Sequence, residues 1–100
     1  MEIQEIINKN YDSIVKRGLI NGKTNFDDFI EKLREEVTEL EQAGKEFIKV
    51  SNRVNSDHMD EELADVILTA LNYAHHYGID IEKELIKKIK KNEVRGISRK

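Results

Sequence analysis

The chain has 100 residues and no proline, and its apolar residues recur at steps of three and four almost from end to end. That step matches the turn of an α-helix. No segment alternates apolar and polar residues as a half-buried strand does. The pattern argues against a sheet-based core and leaves helices packed on one another. Four helical segments follow. The first covers residues 2–17, with Ile3, Ile6, Ile7, Tyr11, Ile14 and Val15 on one side, and it breaks at Gly18 and at the pair Asn21-Gly22. The second starts behind Thr24 or Asn25, either of which can cap first-turn amides, with Asp27 and Asp28 favourably placed toward the helix dipole. It runs to Gly44 and presents Phe26, Phe29, Ile30, Leu33, Val37 and Leu40. Residues 45–55 read either as a short helix or as a packed loop carrying Phe47, Ile48 and Val50. Ser56 or Asp57 caps the third helix, which runs to Tyr77 and stops at Gly78. Its core face begins at Met59 and continues through Leu63, Val66, Ile67, Ala70, Leu71 and Ala74. Asp80 caps the fourth, which presents Ile81, Leu85 and Ile89 and ends near Gly96. Short links between amphipathic helices predict an all-α, four-helix bundle-like chain, with residues 1–100 forming a single domain.

A domain this small buries only about 60–70% of the surface its unfolded chain exposes, so self-association is the expected way to complete the core. There is no cysteine, which excludes both a disulfide framework and a thiolate metal site. No apolar run approaches the roughly 20 residues of a membrane span. Met1-Glu2-Ile3-Gln4-Glu5 lacks the basic and apolar regions of a signal peptide. The expectation is a soluble cytoplasmic protein with no membrane partner. Net charge is −3, unevenly spread. Residues 1–81 carry 9 Lys/Arg against 17 Asp/Glu, a net −8, and residues 82–100 carry 8 against 3, a net +5. The acidic balance of the whole argues against a nucleic-acid partner. An acidic body with a basic final helix suits a metal site beside a phosphate site, and it equally suits solvated helices of different sign.

The acids are placed in an informative way. Glu36 projects at the edge of the apolar arc of the second helix, and Glu39 stands one step further round. Their i, i+3 spacing makes their carboxylates neighbours. Glu62 and Asp65 repeat that spacing on the flank of the third helix. A carboxylate at a core boundary is costly without a partner, and a bound cation offsets that cost. Four carboxylates from two helices make an all-oxygen site suited to Mg²⁺, or to Mn²⁺ in its place. By spacing alone the same residues also read as solvated, salt-bridged faces, with Lys32 placed to pair with Glu36 at i+4.

The order of motifs carries further. Leu33-Arg34-Glu35-Glu36-Val37-Thr38-Glu39-Leu40 resembles the EExxE motif of the MazG-like family. Glu61-Glu62-Leu63-Ala64-Asp65-Val66-Ile67-Leu68 resembles its ExxD motif. Tyr77-Gly78-Ile79-Asp80-Ile81-Glu82 is similar to its link between the last two core helices, and Lys88-Ile89-Lys90-Lys91-Asn92-Glu93-Val94-Arg95 to its KxxxNxxR ending. The resemblance covers about residues 24–95. Two features depart from it: Gly96-Ile97 stands where an aromatic-proline tail often follows, and Tyr11 is the nearest match to an early aromatic residue.

The resemblance implies an all-alpha NTP pyrophosphatase fold completed by oligomerisation, as a homodimer or homotetramer. It implies hydrolysis of an NTP or dNTP to the monophosphate and pyrophosphate. Glu36, Glu39, Glu62 and Asp65 then hold magnesium, and Glu35 lies either behind those ligands or beside the attacking water. Lys88, Asn92 and Arg95 match the ending motif. They share one helix face at i, i+4 and i+7, where arginine gives planar and lysine point-charge contacts to phosphate. That basic face also reads as an ordinary solvated helix end.

Glu62, Asp65, Thr69, Asn72 and His76 form a polar stripe along one flank of the third helix. If its first two members hold metal, Thr69 and Asn72 are placed to contact sugar or base. The other reading makes them interhelical hydrogen-bonding or exposed residues. His75 and His76 are adjacent and point apart, so with no cysteine a zinc site is not expected. Tyr73 and Tyr77 read as packing or interface residues, and His58 and Lys23 as surface. The alternative to an enzyme is a non-catalytic helical module that binds a nucleotide or a protein.

Overall fold

A computed structural model describes residues 1–50 and 56–98. The described residues form four helices and no strand: α1 (Ile3–Lys16), α2 (Phe26–Val50), α3 (Ser56–His76) and α4 (Ile81–Ser98). The chain is all-α, as its periodicity requires.

Local chemistry sets the helix ends. At the start of α2, the Asn25 side-chain oxygen accepts from the Asp28 amide at 3.0 Å, and the Asp28 carboxylate accepts from the Asn25 amide at 2.9 Å. This reciprocal box satisfies two first-turn donors. Asp80 caps α4 by accepting from the Lys83 amide at 3.2 Å. α3 closes at Gly78, whose φ of +67° is the left-handed value that a side chain resists. There the Ile79 amide donates to Ala74 and the Gly78 amide to His75, at 2.8 and 3.1 Å. Gly18, at φ +73°, closes α1 in the same way.

α2 does not end at Gly44 but runs through it to Val50. A lone helical glycine costs about 1 kcal/mol relative to alanine, too little to stop a helix that has no proline after it. Both readings of residues 51–55 lie outside the described residues.

α3 is the central element. It packs along α2 most extensively, along α1 next, and against α4 least. The core lies where α1, α2 and α3 meet, and is built from Ile7, Ile20, Phe29, Ala43, Leu71 and Ala74. Each large apolar group buried there contributes about 1.5–3 kcal/mol. Phe29 anchors an aromatic cluster, with ring centroids 5.6 Å from Tyr73 and 6.0 Å from Tyr77, so those tyrosines do pack. Several positions expected in the core are open to solvent in the single chain. They are Val15 on α1, Phe26 and Val37 on α2, Leu63, Ile67 and Ala70 on α3, and Leu85 and Ile89 on α4. α1, α2 and α3 each bury one stripe around the core and leave these further apolar positions outside it, and among the described residues α4 contributes nothing to that core. The Cα radius of gyration is 16.4 Å. A compact chain of this length has about 13 Å.

Candidate metal centre

The packed pair α2 and α3 brings the expected acids together. Oxygens of Glu36, Glu62 and Asp65 lie within 4.8 Å of one another. Glu36 is only 7% exposed, Glu62 is half-buried and Asp65 is exposed. Glu36 is buried because it sits two turns beyond Phe29 on the face that meets α3. Its Oε1 receives Lys32 Nζ at 3.1 Å, and the same ammonium reaches Glu35 Oε2 at 3.5 Å. The expected Lys32–Glu36 pair is therefore present alongside the carboxylate cluster. The Lys32 ammonium is held above the ordinary lysine value. Its hydrogen bond to Glu36 is the main cause, and the charges of Glu36 and Glu35 add to it against the opposing effect of burial.

Glu36 Oε2 and Glu62 Oε2 are buried and have no hydrogen-bond partner among the described residues. A buried, unpaired carboxylate oxygen is among the costliest groups a fold can hold. Two of them beside a third carboxylate make an all-oxygen donor set that fits a hard divalent cation. His58 Nδ1 stands 3.9 Å from Glu62 Oε1, too far for a hydrogen bond. Glu39, the fourth expected ligand, is exposed and is not one of the group whose oxygens lie within 4.8 Å of one another, although it stands near enough to Glu36 and Glu62 to feel their charges. Its carboxyl is raised above the ordinary glutamate value, first by the charge of Glu36, then by desolvation, then by its contact with Glu62. Glu35 is exposed and, among the described residues, is engaged only by Lys32.

A cleft of about 530 Å³ opens beside the cluster. Glu36, Asp65, Glu35 and Lys32 line one end, and Ile14, Leu19, Ile20, Phe29 and Leu68 give it an apolar wall. Thr69 and Asn72 line it too, as the polar stripe on α3 suggested. Both also serve the fold. Thr69 Oγ1 donates to the Asp65 carbonyl at 2.8 Å. Asn72 Oδ1 accepts from Asn10 Nδ2 at 2.6 Å, and its own amide nitrogen has no partner among the described residues. His76 ends the stripe in a 2.8 Å hydrogen bond with the Tyr11 hydroxyl.

Lys88, Asn92 and Arg95 are exposed on α4 and do not line this cleft. Lys88 and Arg95 instead border a shallow depression on α4 itself, with Lys90, Lys91 and Val94.

α1 supplies what the motifs missed. Ile3, Ile7, Asn10, Ile14 and Arg17 repeat at steps of four, three, four and three, one continuous seam. Asn10 and Arg17 are its polar members, and both line the cleft. An amide interrupting an apolar seam was the available signal, because a buried amide must find a partner.

No described helix is long and apolar enough to cross a membrane. No curated protein and no solved structure matches the chain. Residues 28–100 match the model of the MazG-like family. That stretch takes in both acidic helices and α4, nearly three-quarters of the sequence, and on it the chain belongs to the MazG-like family.

Proposed function

We propose that this chain is a divalent-metal-dependent nucleotide pyrophosphohydrolase that converts an NTP or dNTP and water to the monophosphate and pyrophosphate. The observation that carries the reading is the pair of buried, unpartnered oxygens on Glu36 and Glu62 beside Asp65, in a chain of this family. A fold keeps such groups at a cost to stability unless a ligand offsets it. Glu36, Glu62 and Asp65, joined by Glu39, would hold Mg²⁺ or Mn²⁺. Such a cation, when bound, neutralises phosphate oxygens and makes water a better nucleophile. The chain's own part is positioning and electrostatics. Water forms a bond to a phosphorus flanking the bridging oxygen of the α,β-anhydride, and the bond from that phosphorus to the bridging oxygen breaks. The proton of the water passes to a carboxylate of the cluster, of which Asp65 is the exposed member, and Glu35 would orient the water. Thr69 and Asn72 line the cleft where sugar and base would lie.

The reading includes a homo-oligomer. The single chain exposes 7908 Å². A folded monomer of this mass exposes roughly 5,900 Å², and the excess on one chain is well above the roughly 800 Å² that each partner of a standard interface buries, surface enough for a large interface. α4, with its basic Lys88, Asn92 and Arg95, lies away from the cleft of its own chain, so a second copy is where its charges would meet an acidic cluster. A cytoplasmic setting and a single functional domain complete the proposal.

The test is product analysis with a panel of NTPs and dNTPs, in Mg²⁺ and in EDTA, beside Glu36→Gln. The expected result is monophosphate and pyrophosphate in Mg²⁺ only, lost in the variant. Nucleotide binding without turnover would replace this reading with a non-catalytic binding module.

A further inference from the structure

We propose that Arg17 and Lys32 form a two-cation clamp for the phosphate oxygens of the nucleotide, inside the cleft and within one chain. The inference rests on the nucleotide reading above. Arg17 is the residue that caps the end of α1, in register with its inward seam, and it lines the cleft. Asp28, Glu31, Glu35, Glu36 and Asp65 line the same cleft. Arg17 forms an ion pair with none of them among the described residues. A guanidinium normally closes on an available carboxylate with two parallel hydrogen bonds. Here five carboxylates share its cleft, and space separates them from it. A group that fills that space and satisfies both sides must present anionic oxygens to Arg17 while its counter-ions face the carboxylates. A metal-bound phosphate chain does this.

Lys32, on α2, is the second cation of the cleft. Its ammonium sits 3.1 Å from Glu36 Oε1 and 3.5 Å from Glu35 Oε2 and is half-exposed. It is thus the present counter-charge of the buried ligand. A divalent cation on Glu36 weakens that attraction, because two positive charges then share one carboxylate. The ammonium, on a flexible four-carbon stem, is then free to turn to a phosphate oxygen. Without these two cations the ionisable groups lining the cleft are all acidic, and an anionic substrate would be repelled. Arg17 precedes the matched residues 28–100, so half of the clamp comes from a part of the chain outside that match.

Calorimetric binding to the full chain tests this with three probes: Mn²⁺ alone, a nonhydrolysable α,β-methylene triphosphate of each common base in the presence of Mn²⁺, and the parent nucleosides. Arg17→Ala should weaken the triphosphate about 10- to 100-fold, the usual worth of a charged hydrogen bond. It should leave Mn²⁺ and nucleoside affinities unchanged, and Arg17→Lys should recover part of the loss. Lys32→Met should weaken the triphosphate while binding Mn²⁺ alone at least as tightly as the parent chain, since the competing ammonium is gone. Unchanged triphosphate affinity in Arg17→Ala overturns the clamp, as does an equal loss for triphosphate and nucleoside. A parent chain that binds neither Mn²⁺ nor any triphosphate overturns the nucleotide reading itself, a different result from a neutral Arg17 variant of a binding protein. Arg17 is exposed, and matching melting curves for the alanine and lysine variants separate lost contacts from lost fold.

Discussion

Helices α3 and α4 follow one another with a four-residue link and are both amphipathic, yet they stand in opposite conditions. α3 buries Leu71, Asn72 and Ala74 to 8%, 4% and 2% exposure, and its polar flank holds the Glu62 Oε2 oxygen, which nothing among the described residues satisfies. α4 leaves Leu85, Ile86, Ile89 and Val94 between 46% and 61% exposed. α3 hides charge and apolar surface together, although Leu63 and Ile67 stay open at 48% and 52%, whereas residues 82–95 of α4 are all exposed. Each arrangement costs free energy in a single chain, and each implies a different ligand. Buried oxygens call for a cation, and an apolar helix face calls for apolar surface. An isolated helix of this length is marginal in water, so α4 has little to hold it from its own sequence.

The largest expected effect comes from the apolar side of that contrast. In Leu85→Glu combined with Ile89→Glu, the α4 face can no longer be covered by a second copy. Light scattering should report a mass of 11.7 kDa for the variant and a multiple of it for the parent. Each side chain contributes about 1.5–3 kcal/mol when buried. The melting temperature should therefore fall by at least about 10 °C. A parent chain that is itself a stable monomer, melting with the variant, would break the comparison.

The charged side gives a smaller effect of opposite sign. Glu62→Gln removes one negative charge from beside Glu36, Glu39 and Asp65. In EDTA the variant should melt several degrees higher than the parent, since about 1 kcal/mol of relieved repulsion moves a domain of this size by about 4–8 °C. In Mg²⁺ with nucleotide the order should reverse, because only the parent gains from linked binding. A variant that is less stable in EDTA would mean that the carboxylate contributes to the fold and is not held there for a ligand.

How much of this could be read beforehand differs along the same line. The four helices were legible because their caps are local: Asn25, Gly78 and Asp80 act within four residues of themselves. The run of α2 past Gly44 was not, because a glycine reads the same whether its φ is left-handed or helical. The acids at 36, 62 and 65 were legible because an acid on the rim of an apolar arc conflicts with its surroundings. Asn10 and Arg17 conflict in the same way, but a polar residue on or at the end of a short amphipathic helix also fits an ordinary solvated position, so the conflict is weaker there. The exposure of Val37, Leu63 and Leu85 lay beyond periodicity altogether. An apolar stripe states that it will be covered and is silent on which chain covers it.

The smallest effect sharpens the charged side by pH. Glu39 is exposed, and its carboxyl is raised above the ordinary glutamate value, first by the charge of Glu36. The folded chain therefore holds that proton to higher pH than the unfolded chain does. Between the ordinary and the raised value the folded state binds more protons, so stability falls as pH rises and then levels off once both states are ionised. In EDTA, chemical denaturation across mildly acidic pH should show this shallow decline in the parent. Glu39→Gln should flatten it and leave the slopes set by other carboxylates. The effect is slight because solvent screens an exposed group. Mg²⁺ should flatten the parent's profile as well, since a cation on the cluster replaces the proton as the group that relieves repulsion. If Mg²⁺ leaves the profile unchanged while Glu39→Gln flattens it, Glu39 feels the charge of Glu36 without sharing its ligand, and the metal set would be limited to Glu36, Glu62 and Asp65.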